Sequence, residues 1–397
     1  MKIIESGNVA AATGVMLSRA QVIAAYPITP QTPLTEKLSE MVESGQMKAE
    51  YIAVESEHSA LSVCIGAASA GARAFTATSA NGLLYMSEQV YWSAGARLPL
   101  VMCVVNRGLG APWTIWNDHQ DSMSQRDAGW IQIYVNNHQE IIDTIIKAYR
   151  LAQTVSIPVM VCFDGYYLSH TYMPYEVPSQ KLVDEFLPKY YYKHTLDPAN
   201  PENLNTVTMP YGRPDANGEF RNGYMDIRHN HHQEMVNAIK TFEETDKEFE
   251  HLFGRGGNPL VAGYKCDDAD YIVVLMGSLS NRLKDIADDF RDQGTKIGVL
   301  SVHLYRPFPA QAIVNALENA KGVVVFEKSI SYGYQGGLYS DIKAAMYNIK
   351  NRPFIHNHII GLGGRLIKNE DLIEAINRSI ASQQELDNQP QWIGLNR

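Results

Sequence analysis

The sequence predicts an α/β protein built from two parallel-sheet domains, residues 1–250 and 260–397. Two patterns carry the prediction: apolar runs of strand length alternate with helical patterns over residues 7–170, and the alternation restarts at Ala269. The connections are short, as expected for parallel strands joined by helices that cover both sheet faces. A chain of 397 residues, 45% hydrophobic, can fill more than one core.

Residues 22–26 read as a strand that ends in the turn Pro27-Ile28-Thr29-Pro30, followed by a helix over 33–41. Tyr51-Ile52-Ala53-Val54 is a strand running into Glu55-Ser56-Glu57-His58, and a helix of small residues follows over 59–71. Residues 74–78 form a strand ended by Ser79-Ala80-Asn81-Gly82. A helix over 83–94 precedes the strand at 98–105, and the strand 158–163 closes the set. From 188 to 225 the pattern dissolves into Pro, Asn, Gly and Tyr, as in Asp197-Pro198-Ala199-Asn200-Pro201 and Tyr211-Gly212-Arg213-Pro214. So long an unpatterned stretch reads as a functional arm or an interface loop. A charged helix over 226–253 carries His229, His231 and His232, whose spacing does not set three metal ligands on one face. In the second unit, strands are expected at 270–278, 296–302 and 322–327, with an amphipathic helix over 281–293. Gly333-Tyr334-Gln335-Gly336-Gly337 and Gly361-Leu362-Gly363-Gly364-Arg365 match neither dinucleotide nor phosphate-loop spacing and read as turns.

A net charge of −9 leaves no basic surplus to neutralise phosphates, which argues against nucleic-acid binding. The absence of a long apolar run or a signal-type N-terminus predicts a soluble, cytoplasmic protein that does not engage a membrane. Cys64, Cys103, Cys162 and Cys266 lie far apart in apolar contexts, without a C-x-x-C pair. They read as buried thiols, and no metal is expected on this chain. If the protein moves electrons, the clusters sit on another chain.

The run Asn117-Asp118-His119-Gln120-Asp121, continuing through Arg126 to Trp130, crowds charged, amide and aromatic residues just after the strand 98–105. In an α/β sheet, ligands bind beyond the carboxyl ends of strands, so this run reads as part of a site. Thr29, Glu55 and Glu57, residues 79–82, and Arg107 should converge at the same end. Glu57 suits a helix N-terminus through the macrodipole, and equally a partly buried acid that serves a cofactor. Arg107 could bridge to Asp118 or Asp121, or offer a bidentate fork to a substrate carboxylate.

Tyr26-Pro27-Ile28-Thr29-Pro30, Val54-Glu55-Ser56-Glu57-His58-Ser59-Ala60, Thr76-Ala77-Thr78-Ser79, Asp118-His119-Gln120-Asp121, Arg126-Asp127-Ala128-Gly129-Trp130-Ile131-Gln132 and Asp164-Gly165 resemble the α subunit of 2-oxoacid:ferredoxin oxidoreductases. The likeness is nearest to multi-subunit pyruvate:ferredoxin oxidoreductases, and it continues through Glu185-Phe186-Leu187-Pro188, Arg306-Pro307-Phe308-Pro309 and Gly361-Leu362-Gly363-Gly364-Arg365. It implies a pyrimidine-binding domain for thiamine diphosphate over 1–250, followed by a transketolase C-terminal-like domain over 260–397. It implies that Glu57 bonds the aminopyrimidine and is catalytic, and that Tyr26, Pro27, Ile28, Ser79 and Asn81 line the cofactor. Thr29 and Arg107 would hold the substrate carboxylate, with Asp118, His119, Asp121 and Arg126 on a neighbouring site loop. The implied reaction is oxidative decarboxylation of pyruvate with coenzyme A to acetyl-CoA, with electrons passed to ferredoxin, or the reverse synthesis.

The sequence has no Gly-Asp-Gly…Asn segment for magnesium and diphosphate. By the same resemblance, a β subunit supplies that half-site with Mg2+, and γ- or δ-type subunits carry [4Fe-4S] clusters. In relatives that act on oxalate an arginine stands where Thr29 stands here, which favours a substrate with a single carboxylate. Phenylglyoxylate, 2-oxoisovalerate or oxalate, with NAD as a final acceptor, are the alternatives within the family. A non-catalytic scaffold is the alternative outside it.

Overall fold

The computed structural model describes residues 1–197, 199–200, 203–204, 208–215, 217–382 and 389–396. The first half carries β1 (Lys2–Ser6), β2 (Val22–Ala25), β3 (Glu50–Ala53), β4 (Ala74–Thr78), β5 (Val101–Asn106), β6 (Ile131–Tyr134), β7 (Val159–Asp164), β8 (Tyr172–Glu176), β9 (Arg213–Pro214) and β10 (Phe220–Arg221). The second carries β11 (Val261–Tyr264), β12 (Tyr271–Leu275), β13 (Ile297–Val302), β14 (Leu304–Arg306), β15 (Gly322–Glu327), β16 (Phe354–Ile359) and β17 (Gln391–Trp392).

Both principal sheets are parallel except at one edge. The first runs β14-β6-β7-β5-β4-β2-β3 and the second β11-β13-β12-β15-β16-β17. Their antiparallel edge strands are β14 against β6 and β11 against β13. This qualifies the expectation of purely parallel sheets. It also blurs the boundary between the halves, because β14 belongs to the second half by sequence and to the first sheet by pairing. An edge strand needs only one partner, so it can come from a distant part of the chain.

The pleat divides the first sheet's side chains between two cores. Val101, Cys103 and Val105 of β5 join one cluster, with the helices Gly7–Leu17 and His138–Val155. Met102 and Val104 face the other, which also takes in Ile272, Val274, Leu300 and Val323 of the second sheet. A single apolar cluster therefore spans both halves. A third, behind the second sheet, packs Val273, Leu275 and Phe326 against the helices Leu279–Asp292 and Asn369–Ser382.

Several expectations shift. The helix foreseen over 83–94 is two helices, Ala80–Tyr85 and Ser87–Gly95, bent at Met86, whose N–H still bonds Gly82 O at 3.1 Å. Because the hydrogen-bond ladder continues through the bend, the helical period in the sequence does not register it. Periodicity does not single out Gly7–Leu17, whose residues are mostly buried on every side, and β6 and His138–Val155 are further elements that the sequence reading does not contain. Within 188–225, β9 and β10 form a short hairpin, while Pro198 and Pro201 lie outside the described residues. Cys64, Cys103 and Cys162 are buried as expected. Cys266 is only half-buried, because it sits in the turn after β11, with its thiol on Val299 O at 3.4 Å.

Candidate active site

β2 pairs with β3 on one side and β4 on the other. The connections leaving the carboxyl ends of β2 and β4 therefore diverge and open a crevice, the topological switch point of the sheet. The turn after β2 is fixed in place by the buried Gln31, whose Oε1 accepts from Ile28 N (3.2 Å) and whose amide donates to Ala77 O on β4 (2.8 Å). Tyr26, Pro27 and Thr29 are exposed along this turn.

Glu57 begins the helix Glu57–Ser69, whose N-cap Ser56 accepts from Ser59 N. It is only 8% exposed, and among the described residues no hydrogen bond reaches its carboxylate. Gly82 lies against it, and a Cβ there would sit 2.6 Å from both Glu57 Oε1 and Thr78 Oγ1. Thr78 Oγ1 and Ser79 Oγ are also buried without a partner. Buried polar groups are normally satisfied within the protein, so two unpaired hydroxyls, beside a carboxylate without a partner and a backbone lacking a Cβ, fit a polar guest.

Ala80 adopts the left-handed region, with φ 45°, a conformation that costs a non-glycine residue roughly 1 kcal/mol or more. The next residue, Asn81, accepts from Gly110 N at 3.0 Å and so holds the loop that follows β5. Arg107 opens that loop. Its guanidinium bridges to neither Asp118 nor Asp121. Nε donates to Thr114 O (2.8 Å) and a terminal nitrogen donates to Thr29 O (2.7 Å), while Trp113 lies 5.8 Å away beneath it. Thr29 and Arg107 thus meet directly, and the second terminal nitrogen makes no hydrogen bond among the described residues. Burial lowers the Arg107 pKa, and Asp121 works against that shift.

The 117–130 loop lies beneath this mouth instead of lining it. Asp121 is fully buried and accepts from Ala80 N (2.9 Å), Arg107 N (3.0 Å), Asn106 Nδ2 (2.8 Å) and Ser122 N (2.8 Å). Asp118 accepts from Gln120 N and from Gly363 N of the second half, both at 3.0 Å. Burial pushes both carboxyls up to about 6, against the N–H donors that pull them down. His119 Nε2 lies 2.7 Å from Asp164 Oδ1, and Lys328 Nζ lies 2.7 Å from Asp164 Oδ2 and 3.1 Å from Asn117 Oδ1. Ser278 donates to Asp164 through both N (3.2 Å) and Oγ (2.5 Å). Burial alone would raise Asp164, but Lys328 and His119 overcome it and hold the carboxyl well below the usual carboxylate range.

Arg126 departs from expectation. It lines a separate groove of about 760 Å3 with Tyr91, Arg228 and Phe308, because the chain turns at Gly129 toward His231, whose Nε2 bonds Gly129 O at 2.9 Å. Sequence reading misses Gln31, Thr78 and Lys328 as parts of the site framework. Lys328 has a signal: it is a charge immediately after the buried strand β15.

Residues 13–246 match the family described as pyruvate flavodoxin/ferredoxin oxidoreductase, thiamine diP-binding, and residues 269–372 match pyruvate:ferredoxin oxidoreductase core domain II. The chain is 43% identical over 397 residues to pyruvate synthase subunit PorA of Methanothermobacter thermautotrophicus, covering 100% of this chain and 98% of that one. It is 40% identical over 400 residues to ketoisovalerate oxidoreductase subunit VorA of Pyrococcus abyssi, again covering 100% and 98%. Its fold is similar to a solved 2-oxoglutarate:ferredoxin oxidoreductase from Magnetococcus marinus with 2-oxoglutarate, coenzyme A and succinyl-CoA bound, with a TM-score of 0.70 at 19% identity. The likeness covers 96% of this chain and 65% of that one.

Replacing Lys328 by Met leaves Asp164 buried without its cation and should cost about 3–5 kcal/mol. Urea denaturation of the purified chain at pH 7 measures this as a lowered midpoint. Because the folded Asp164 pKa is depressed, its contribution is complete above the unfolded value of about 3.9 and is lost as pH falls below it. The deficit of the variant should therefore shrink on acidification.

Proposed function

The chain belongs to the pyruvate:ferredoxin oxidoreductase family, as the α subunit of a 2-oxoacid:ferredoxin oxidoreductase, and on that footing we propose that it acts on pyruvate. The overall conversion takes pyruvate, coenzyme A and two oxidised ferredoxins to acetyl-CoA, carbon dioxide, a proton and two reduced ferredoxins, or runs in reverse. The observation that supports this reading is the Glu57 side chain, 8% exposed and without a hydrogen-bond partner among the described residues, packed against the 79–82 turn that Asn81 joins to the loop of Arg107 and Thr29.

Thiamine diphosphate, when bound, supplies a nucleophilic carbon and a sink for the electrons released by decarboxylation. The residues present fit its aminopyrimidine end. Glu57 would share a proton with a ring nitrogen, and the missing Cβ at Gly82 leaves that carboxylate room. Tyr26, Pro27, Ile28, Ser79 and Asn81 would line the ring's surroundings. Arg107 would grip the substrate carboxylate with its remaining donors while Thr29 offers its hydroxyl. Lys328, the neighbouring buried cation, is committed to Asp164 and Asn117. Among the described residues, Arg107 offers a spare donor beside Thr29, and a single such cation suits a substrate with one carboxylate.

The magnesium and diphosphate half-site would belong to a β subunit, since this sequence lacks a Gly-Asp-Gly segment. The [4Fe-4S] clusters would sit on γ- or δ-type subunits, since the four cysteines here are solitary. Among the described residues no helix is long and apolar enough to cross a membrane. We place the complex in the cytoplasm. Similarity over the full length to a ketoisovalerate oxidoreductase subunit, 40% identical, supports 2-oxoisovalerate as a second reading, because extra methylenes shift preference by only ~1–3 kcal/mol each.

In the purified complex, Glu57→Gln should abolish turnover while leaving subunit assembly intact; near-normal turnover removes Glu57 from the chemistry. Arg107→Ala should lower kcat/KM for pyruvate by roughly 10- to 150-fold, the worth of a charge-assisted hydrogen bond; an unchanged value removes it from substrate binding. Steady-state rates across 2-oxo acids should rank pyruvate first. A higher kcat/KM for 2-oxoisovalerate overturns that assignment.

A further inference from the structure

We propose that Asp121 is a positioning residue that sets the spacing between the cofactor-facing turn 79–82 and the substrate-binding Arg107, an inference that rests on the functional reading above. One of its oxygens, Oδ2, accepts from both Ala80 N (2.9 Å) and Arg107 N (3.0 Å), so a single atom joins the loop after β4 to the loop after β5. The other, Oδ1, accepts from Asn106 Nδ2 and Ser122 N, both at 2.8 Å, which fixes the carboxylate itself. All four partners are donors, and Asp121 is fully buried. Ionised aspartate is the small side chain that offers acceptors in both directions.

What Oδ2 holds is not ordinary backbone. Ala80 is in the left-handed region, where a non-glycine residue persists only when its surroundings over-determine it. The same turn places Gly82 against Glu57 and leaves Ser79 Oγ buried and unpaired. Arg107 in turn carries Thr29 through its bond to the Thr29 carbonyl. A shift of Asp121 would thus move the cofactor side and the carboxylate side together, although Asp121 touches neither ligand.

Asp121→Asn keeps the shape and replaces one acceptor by an amide donor that must face donors on whichever side it turns. The reciprocal pair Asn106→Asp with Asp121→Asn restores the contacts that join the two loops: the new amide at position 121 keeps its oxygen toward Ala80 and Arg107 and its nitrogen meets the new carboxylate at position 106, while Ser122 N, a donor within the same short helix, is the one partner left unmatched. In the purified complex, equilibrium dissociation constants are measured by calorimetry for thiamine diphosphate, and for oxamate, an unreactive pyruvate analogue, at saturating cofactor. Asp121→Asn should weaken both by about ten-fold or more at unchanged binding stoichiometry, while the reciprocal pair returns both to within about three-fold of the parent. Glu57→Gln should weaken only the cofactor and Arg107→Ala only oxamate.

If either affinity in Asp121→Asn stays within about two-fold of the parent, or the reciprocal pair remains about ten-fold weak for either ligand, the inference fails. If Asp121→Asn does not assemble, the reciprocal pair decides alone by the same limits. If Glu57→Gln and Arg107→Ala leave both affinities unchanged, the functional reading itself fails, an outcome distinct from failure at Asp121 only.

Discussion

The arrangement depends on an ion pair in the interior. Asp164 ends β7 of the first sheet, and Lys328 follows β15 of the second; the two meet in direct contact, buried away from bulk solvent that would screen the charge. Removing both charges from water is expensive, and their attraction offsets this only because His119, Ser278 and Asn117 satisfy the remaining valences. This cluster therefore works as a lock: it is satisfied in one relative placement of the two sheets, where their carboxyl ends face each other. The shared apolar cluster supplies adhesion between the halves, and the charged group supplies register.

From that lock the site can be followed outward. His119 is held by Asp164, so the short helix Gln120–Met123 starts at a fixed point and delivers Asp121 under the crevice. Asp118 takes Gly363 N, which ties the Gly-rich turn of the second half to the same loop. Above these buried layers stand groups with spare valence on the strand-end loops: Glu57, the hydroxyls of Thr78 and Ser79, and the free edge of Arg107. Interior carboxylates here have different fates because their partners differ. Asp164 faces a cation, Asp121 faces four N–H groups, and Glu57 has no hydrogen-bond partner among the described residues. The unpartnered one is where chemistry is available.

The division of labour proposed among subunits rests on what this chain holds. On the function proposed above, its acid, hydroxyls and cation would serve a ring and a monocarboxylate, and the chain supplies neither a Gly-Asp-Gly segment nor a C-x-x-C pair. The exposed Trp113, Ile115 and Trp116 stand on the loop that covers Arg107, at the rim where a catalytic half-site would have to be completed. The rim is apolar where it meets solvent and polar where it enters the crevice.

Local pattern was enough to read the α/β class, the position of five strands of the first sheet and three of the second, and the convergence of Thr29, Glu57, residues 79–82 and Arg107, because strand ends in a parallel sheet point one way and each of these residues follows a strand. The 117–130 run announced itself by composition, but composition cannot tell a lining residue from a supporting one. Asp118, His119 and Asp121 went below the mouth because their partners Gly363, Asp164 and Ala80 are remote in sequence, and Arg126 went elsewhere, to a groove shared with the equally remote Arg228 and Phe308. The same holds for β14, whose pairing with β6 no periodicity contains, and for Lys328, whose role exists only opposite Asp164. Sequence alone determined which residues could do chemistry, since that is a matter of residue type and strand end. Tertiary structure decided which of them are left unsatisfied, since hydrogen-bond valence is consumed by whatever neighbours the fold brings, and only packing chooses those neighbours.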